Sequence, residues 1–196
     1  MRLVVLADTH VRQGRRKMLP ATALAHLRRA EVILHAGDVL EQWFLDELAE
    51  LAPVHAVLGN NDTGLDLPER LEVDLEGVRV GMVHDSGART GREARLARWF
   101  PSCQLVVFGH SHAPLDTRGQ GVVVGSLRGR PPASAFGPSR AGPLPSVQAE
   151  AAAPCARQRL LNPGSPTDKR TQPHHTLALV DLDDARIRRT QIVDLD

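Results

Sequence analysis

The sequence predicts an α/β domain with antiparallel additions. Early in the chain, short β-branched runs alternate with helical stretches, the pattern of parallel strands joined by crossovers. Later, paired apolar runs flank tight-turn residues, the pattern of hairpins. One apolar run after another also stops at residues that hydrogen-bond or bind metals.

The elements follow in order. Val4 to Ala7 forms a first strand and halts at Asp8 and His10. Pro20 to Arg29 reads as a helix, with proline in the first turn and Leu24 and Leu27 at helical spacing. Val32 to Leu34 is a second strand and halts at Gly37 and Asp38. Glu41 to Leu51 places Phe44, Leu45, Leu48 and Leu51 on one helical face. Val54 to Leu58 is a third strand, followed by Gly59, Asn60, Asn61 and Asp62. Glu76-Gly77 marks a hairpin whose second strand, Val78 to Val83, ends at His84. Arg92 to Phe100 is a third helix, apolar at Ala94, Leu96, Ala97 and Phe100. Leu105 to Phe108 then runs into Gly109, His110 and His112, and the tail is a second hairpin turning near Asp183-Asp184. Strand–helix–strand units make right-handed crossovers, and ligands bind where the carboxyl ends of such strands gather. The polar residues therefore converge on one rim.

Bulk composition narrows the function. At 196 residues with 42% hydrophobic content, the chain suits one good core and is short for two domains. A net charge of +1 gives no global attraction to nucleic-acid polymers or anionic membranes. No apolar run reaches membrane-spanning length, and no secretion signal opens the chain. Cys103 and Cys155 make no disulfide framework, in keeping with a reducing cytoplasm, where the protein is expected. From Gly125 to about Arg157 the chain is rich in Pro, Ala, Gly, Ser and Arg without sustained period. That composition reads as a disordered insertion within a single domain spanning residues 1–196.

Singly, each polar strand end has a bland reading as a surface turn or a hydrogen-bonded histidine. Together they supply oxygen and nitrogen donors enough for two metal ions, with no thiolate of the kind found in structural zinc sites. The order D-x-H (Asp8, His10), GD (Asp38), GN-x-D (Asn60, Asp62), H (His84) and GHxH (His110, His112) resembles the calcineurin-like metallophosphoesterase superfamily. In particular it is similar to the small single-domain bacterial and archaeal phosphodiesterases of that superfamily. The likeness covers residues 1–124 and 158–196, where Asn162 to Ser165 ("NPGS") looks like that branch's turn before its terminal strands.

The resemblance implies two mixed sheets packed face to face with helices outside, a four-layer α/β sandwich with metals at one edge. It implies Asp8, His10 and His112 around a first ion, Asn60, His84 and His110 around a second, and Asp38 bridging both. Asp38, Asn60 and His110 are the candidate catalytic residues, and Asn61 and Arg170 are candidates for the substrate phosphate. The resemblance favours Mn²⁺, while Fe²⁺, Zn²⁺ or Ni²⁺ also suit such donors. Two ions about 3.5–4 Å apart clamp the attacking and leaving oxygens of an in-line displacement, with a bridging water deprotonated near neutral pH as nucleophile. The expected substrate is a small, nucleotide-derived phosphodiester. A phosphomonoesterase on the same metals and a scaffold module on the same fold are the alternatives, and a homo-oligomer is open. Asp62 reads as orienting a ligand or stabilising its turn. Two departures stand out: Asn61 replaces a histidine that many relatives carry after the metal-binding asparagine, and Asp85 replaces a usual glycine after His84.

Overall fold

The first strand, β1 (Arg2–Leu6), shows how the layers arise, because a strand's side chains point alternately to its two faces. Leu3 and Val5 enter one buried cluster, while Val4 and Leu6 enter another. Such a strand, buried on both faces, needs a cover on each side. In the computed structural model, which describes residues 1–14, 18–118 and 158–196, a second sheet supplies one cover and two helices the other.

The first sheet runs in the order β10 (Arg186–Asp194), β9 (Thr176–Asp183), β1, β2 (Val32–His35), β3 (Val54–Ala56). β1, β2 and β3 are parallel, as the crossovers through α1 (Ala21–Leu27) and α2 (Gln42–Ala49) require, and β9 lies antiparallel to β1. The second sheet runs β4 (Arg70–Leu75), β5 (Val78–Val83), β6 (Leu105–Val107), β8 (Arg159–Asn162), β7 (Leu115–Asp116). There β5, β6 and β8 are parallel. Between the sheets lie Leu3, Val5, Leu34, Val80, Met82, Val107 and Leu161, all fully buried. Ala23, Leu27, Phe44, Leu45 and Leu48 of α1 and α2 pack on the outside of the first sheet. Leu96 of α3 (Arg92–Trp99), with Phe100 and Cys103, packs on the outside of the second. The result is the expected four-layer sandwich of two face-to-face mixed sheets flanked by helices.

Several local expectations shift. The β4–β5 hairpin turns at Glu76 and Gly77, both with positive φ, as a primed turn matching strand twist demands. The tail hairpin turns at Asp184-Ala185, one residue later than its sequence suggests. Leu51 is 38% exposed, because α2 ends at Ala49 and the chain then leaves the apolar face. Ala94 and Ala97 are exposed, leaving Leu96 as the buried residue of α3. His26 is buried in α1, and burial lowers its pKa. The expected insertion at about 125–157 lies outside the described residues.

Candidate metal centre

Every sequence-predicted ligand stands at or just beyond the carboxyl end of a strand, and the two sheets bring these ends together. Asp8 and His10 follow β1, Asp38 follows β2, Asn60 follows β3, His84 follows β5, and His110 and His112 follow β6. The chain turns inward there through left-handed backbone. Asp8, His10, Asp38, His110 and His112 have φ of 54°, 47°, 58°, 66° and 55°. Non-glycine residues avoid that region, and such strain gathers at functional sites where surrounding contacts enforce it. The enforcing bonds are visible: Asp8 N–H donates to the Gly37 carbonyl and His10 N–H to the Asp38 carbonyl, each at 3.0 Å. Glycines supply the clearance. A Cβ at Gly59 would stand 2.1 Å from Asp38 N, and one at Gly109 would stand 2.9 Å from Asp8 Oδ2.

Two donor groups result, Asp8/His10/His112 and Asp8/Asp38/His84, and within each group the ligand atoms lie within 4.8 Å of one another. His10 Nε2 and His112 Nε2 are 3.3 Å apart, and His112 Nε2 is 3.4 Å from Asp8 Oδ1. Asp38 faces both groups, with Oδ2 3.5 Å from His10 Nε2 and Oδ1 3.5 Å from His84 Nε2. Asn60 Oδ1 lies 3.0 Å from His84 Nε2 and 2.8 Å from His110 Nδ1. The sequence assigns Asp8 to one position, whereas the geometry makes it common to both groups.

The surroundings set tautomers and charges. A backbone carbonyl only accepts, so His84 Nδ1–H donates to Ala36 O at 2.8 Å, and His112 Nδ1–H donates to Asp168 O. Each ring then turns an Nε2 lone pair inward, the presentation metal-binding histidines need. Burial lowers the pKa of both rings, which keeps them neutral. The two carboxylates are treated oppositely. Burial, then the charge of Asp38, push Asp8 up to about 8, and its Oδ2 is buried without a hydrogen-bond partner. Asp38 is buried too, but the Asn61 backbone N–H (2.9 Å) and the Asn61 side-chain amide (2.7 Å) hold its pKa low. A buried carboxylate oxygen without a donor, faced by imidazole lone pairs, is a place a cation satisfies. The residues present therefore fit a metal ion.

The remaining predicted residues fall into place around this cluster. Asn61 directs both its backbone and side-chain N–H at Asp38. Asp62 accepts from the backbone of Asp38 (3.0 Å), Leu40 (2.7 Å) and Gly59 (2.7 Å), tying two ligand-bearing loops together. Arg170 stands exposed at the rim with Nη1 3.3 Å from the His110 carbonyl. Asp85 turns away and accepts from Gly87 N at 2.7 Å. Sequence reasoning missed Ser165, Thr167 and Asp168 behind the cluster, and also the buried Thr9–His35 pair (3.0 Å). Only the quoted "NPGS" turn flags that region, and nothing in the sequence pairs it with Asp8.

A face-to-face double sheet with carboxylates and imidazoles gathered at one edge defines a class of metal-binding phosphoesterase folds. A profile of the calcineurin-like phosphoesterase superfamily domain matches residues 1–137, and the chain belongs to that superfamily. A probable metallophosphoesterase of Methanothermobacter thermautotrophicus is 33% identical over 118 residues, covering 58% of this chain and 68% of that one. Another, from Methanocaldococcus jannaschii, is 31% identical over 119 residues, and the match spans 60% of its length. Among solved structures, Vps29 of Entamoeba histolytica complexed with Zn²⁺ superposes with a TM-score of 0.65 at 20% identity, covering 100% of both chains. At that identity the likeness is one of fold. No helix among the described residues is long and apolar enough to cross a membrane.

Proposed function

We propose that the chain is a metal-dependent phosphodiesterase that holds two divalent ions at this rim and hydrolyses small, nucleotide-derived phosphodiesters. The observation that carries the reading is the convergence of three Nε2 atoms, from His10, His84 and His112, on two buried carboxylates, one with an unpartnered oxygen. Asp8, His10 and His112 would hold one ion and Asn60, His84 and His110 the other, with Asp38, which faces both groups, contributing to each. The all-nitrogen-and-oxygen set suits Mn²⁺, with Fe²⁺, Zn²⁺ or Ni²⁺ as alternatives. When bound, two such ions supply Lewis acidity at phosphorus and an acidified water for in-line displacement.

The chain's own groups do the positioning. Asn61 keeps Asp38 ionised through two hydrogen bonds, so it holds a ligand rather than touching the substrate phosphate directly. The Arg170 guanidinium, held near the His110 carbonyl, can grip a phosphate oxygen as substrate enters from the open rim. Burial decreases outward, from Asp8 and His112 at the floor to exposed Asn60, Asn61 and Arg170, so a phosphoryl group seats inward while its two ester arms stay near solvent.

The test is turnover of a bis-aryl phosphate against an aryl monophosphate after chelation, with Mn²⁺ or Mg²⁺ added back. Mn²⁺ should restore hydrolysis better than Mg²⁺, which prefers all-oxygen octahedra, and the diester should turn over faster. Full activity in chelator overturns the metal assignment. Preference for the monoester makes it a phosphomonoesterase, and metal binding with no turnover of either favours the scaffold role.

A further inference from the structure

Behind the cluster, the buried hydroxyls of the loop after β8 reach the Asp8, His10 and His112 side of the centre, while exposed Arg170 further along the same loop lies 3.3 Å from the His110 carbonyl. Ser165 is 1% exposed and uses its full hydrogen-bonding capacity. Its hydroxyl donates to the Asp8 carbonyl at 2.7 Å and accepts from Asp168 N at 2.8 Å and Thr167 N at 3.3 Å. The Thr167 hydroxyl donates to the next carbonyl, that of Thr9. Two successive buried carbonyls are thus drawn backward, which turns the Asp8 and His10 side chains, both in left-handed backbone, forward into the site. Through the bond from Asp168 N to Ser165, the same loop also sets the Asp168 carbonyl that receives His112 Nδ1–H. The three residues governed by these hydroxyls, Asp8, His10 and His112, form one donor group, of which Asp8 alone is shared with the second. The other side is wired elsewhere: His84 rests on the Ala36 carbonyl, and His110 on Asn60.

We infer that Ser165 and Thr167 are positioning residues for the Asp8, His10 and His112 side of the centre, and that they set metal affinity there more strongly than on the Asn60, His84 and His110 side. This rests on the two-ion reading above. It also means that a segment beyond residues 1–137, the part matched by the family profile, completes the centre.

The full-length protein is stripped of metal and titrated with Mn²⁺, following binding by calorimetry and the conversion of mononuclear to spin-coupled dinuclear Mn²⁺ by electron paramagnetic resonance. Wild type should bind two Mn²⁺ per chain. Ser165→Ala and Thr167→Val should each weaken one binding step by about 10–100-fold, the usual effect of removing a partner that orients ligands. The other step should change by much less, so the mononuclear signal persists to higher Mn²⁺. Thr167→Ser keeps the hydroxyl and should return the coupled signal. Thr167→Val is nearly isosteric and decides the question if Ser165→Ala fails to fold. If wild type never binds two ions, the two-ion reading itself fails. If wild type binds two but the folded variants match it, or lose both steps equally, the selective role of this loop is overturned.

Discussion

Asp8 and Asp38 lie in one site yet carry opposite shifts, because burial and the neighbouring Asp38 charge raise the first while the two N–H groups of Asn61 hold down the second. In the metal-free fold Asp8 retains its proton up to about pH 8, whereas the unfolded chain loses it near the ordinary carboxyl value. Across that window the folded state binds more protons, so this group makes metal-free stability fall as pH rises. A metal ion must displace the same proton, so Mn²⁺ affinity should rise from pH 6 to 8 with proton release, measurable by calorimetry in buffers of different ionisation enthalpy. Affinity flat with pH would show that Asp8 is ionised without metal. Asp38→Ala or His110→Ala should lower kcat by orders of magnitude and reduce bound metal while the circular-dichroism spectrum survives, since the ligands act as a unit. Asn61 bears on the leaving group as well. It has no acidic proton, so rates should fall steeply as leaving-group pKa rises from nitrophenol to alkyl alcohols. Asn61→His should recover part of the roughly 10²–10⁴-fold that general acid catalysis supplies for alkyl esters, and little for nitrophenyl esters. A flat dependence in wild type, with chemistry rate-limiting, would mean another group donates the proton.

At the level of elements, the strand–glycine–ligand unit recurs three times, as Gly37-Asp38, Gly59-Asn60 and Gly109-His110. Each glycine lets one ligand loop close on another: Gly37 leaves no room for a Cβ beside His84, Gly59 none beside Asp38, and Gly109 none beside Asp8. Gly59→Ala should therefore cost about 1–3 kcal/mol, the range for overpacking a filled site, and should also weaken metal binding. Gly64→Ala meets open space and suffers only its positive φ, so it should keep metal binding intact. Thermal melts and metal titrations of the two variants, side by side, check this. Equal losses of metal binding would show that clearance at Gly59 is irrelevant. The units are legible in the sequence, because a β-branched run halted by glycine and a ligand is a local pattern. The loop holding Ser165 is not, because its bond to Asp8 spans 157 residues and leaves no periodic trace.

Over the whole molecule, the segment between β7 and β8 departs from and returns to neighbouring strands. Leu115 pairs with Asn162, and Thr117 N–H donates to the Leu160 carbonyl at 3.1 Å. Shortening that connection changes closure entropy only slowly. Deleting Arg130 to Pro154 should accordingly leave the melting temperature and Mn²⁺ affinity nearly unchanged, and a large drop in either would show that the segment packs on the body. The amino-acid sequence by itself determined the α/β body, the hairpins and the standing of the candidate donors at strand ends, since alternation, turn chemistry and strand-end residues are all short-range signals, while the face-to-face packing of two sheets was legible only through the family resemblance. Helical spacing misleads where the helix stops short: Leu51 sits on an apolar face by spacing but lies beyond the end of α2. Only the tertiary structure decided that Asp8 belongs to both donor groups, that Asn61 serves Asp38, and which tautomers His84 and His112 present. Those outcomes depend on which carbonyls and amides of distant loops come within hydrogen-bond reach, and that distance exists only once the two sheets have closed on each other.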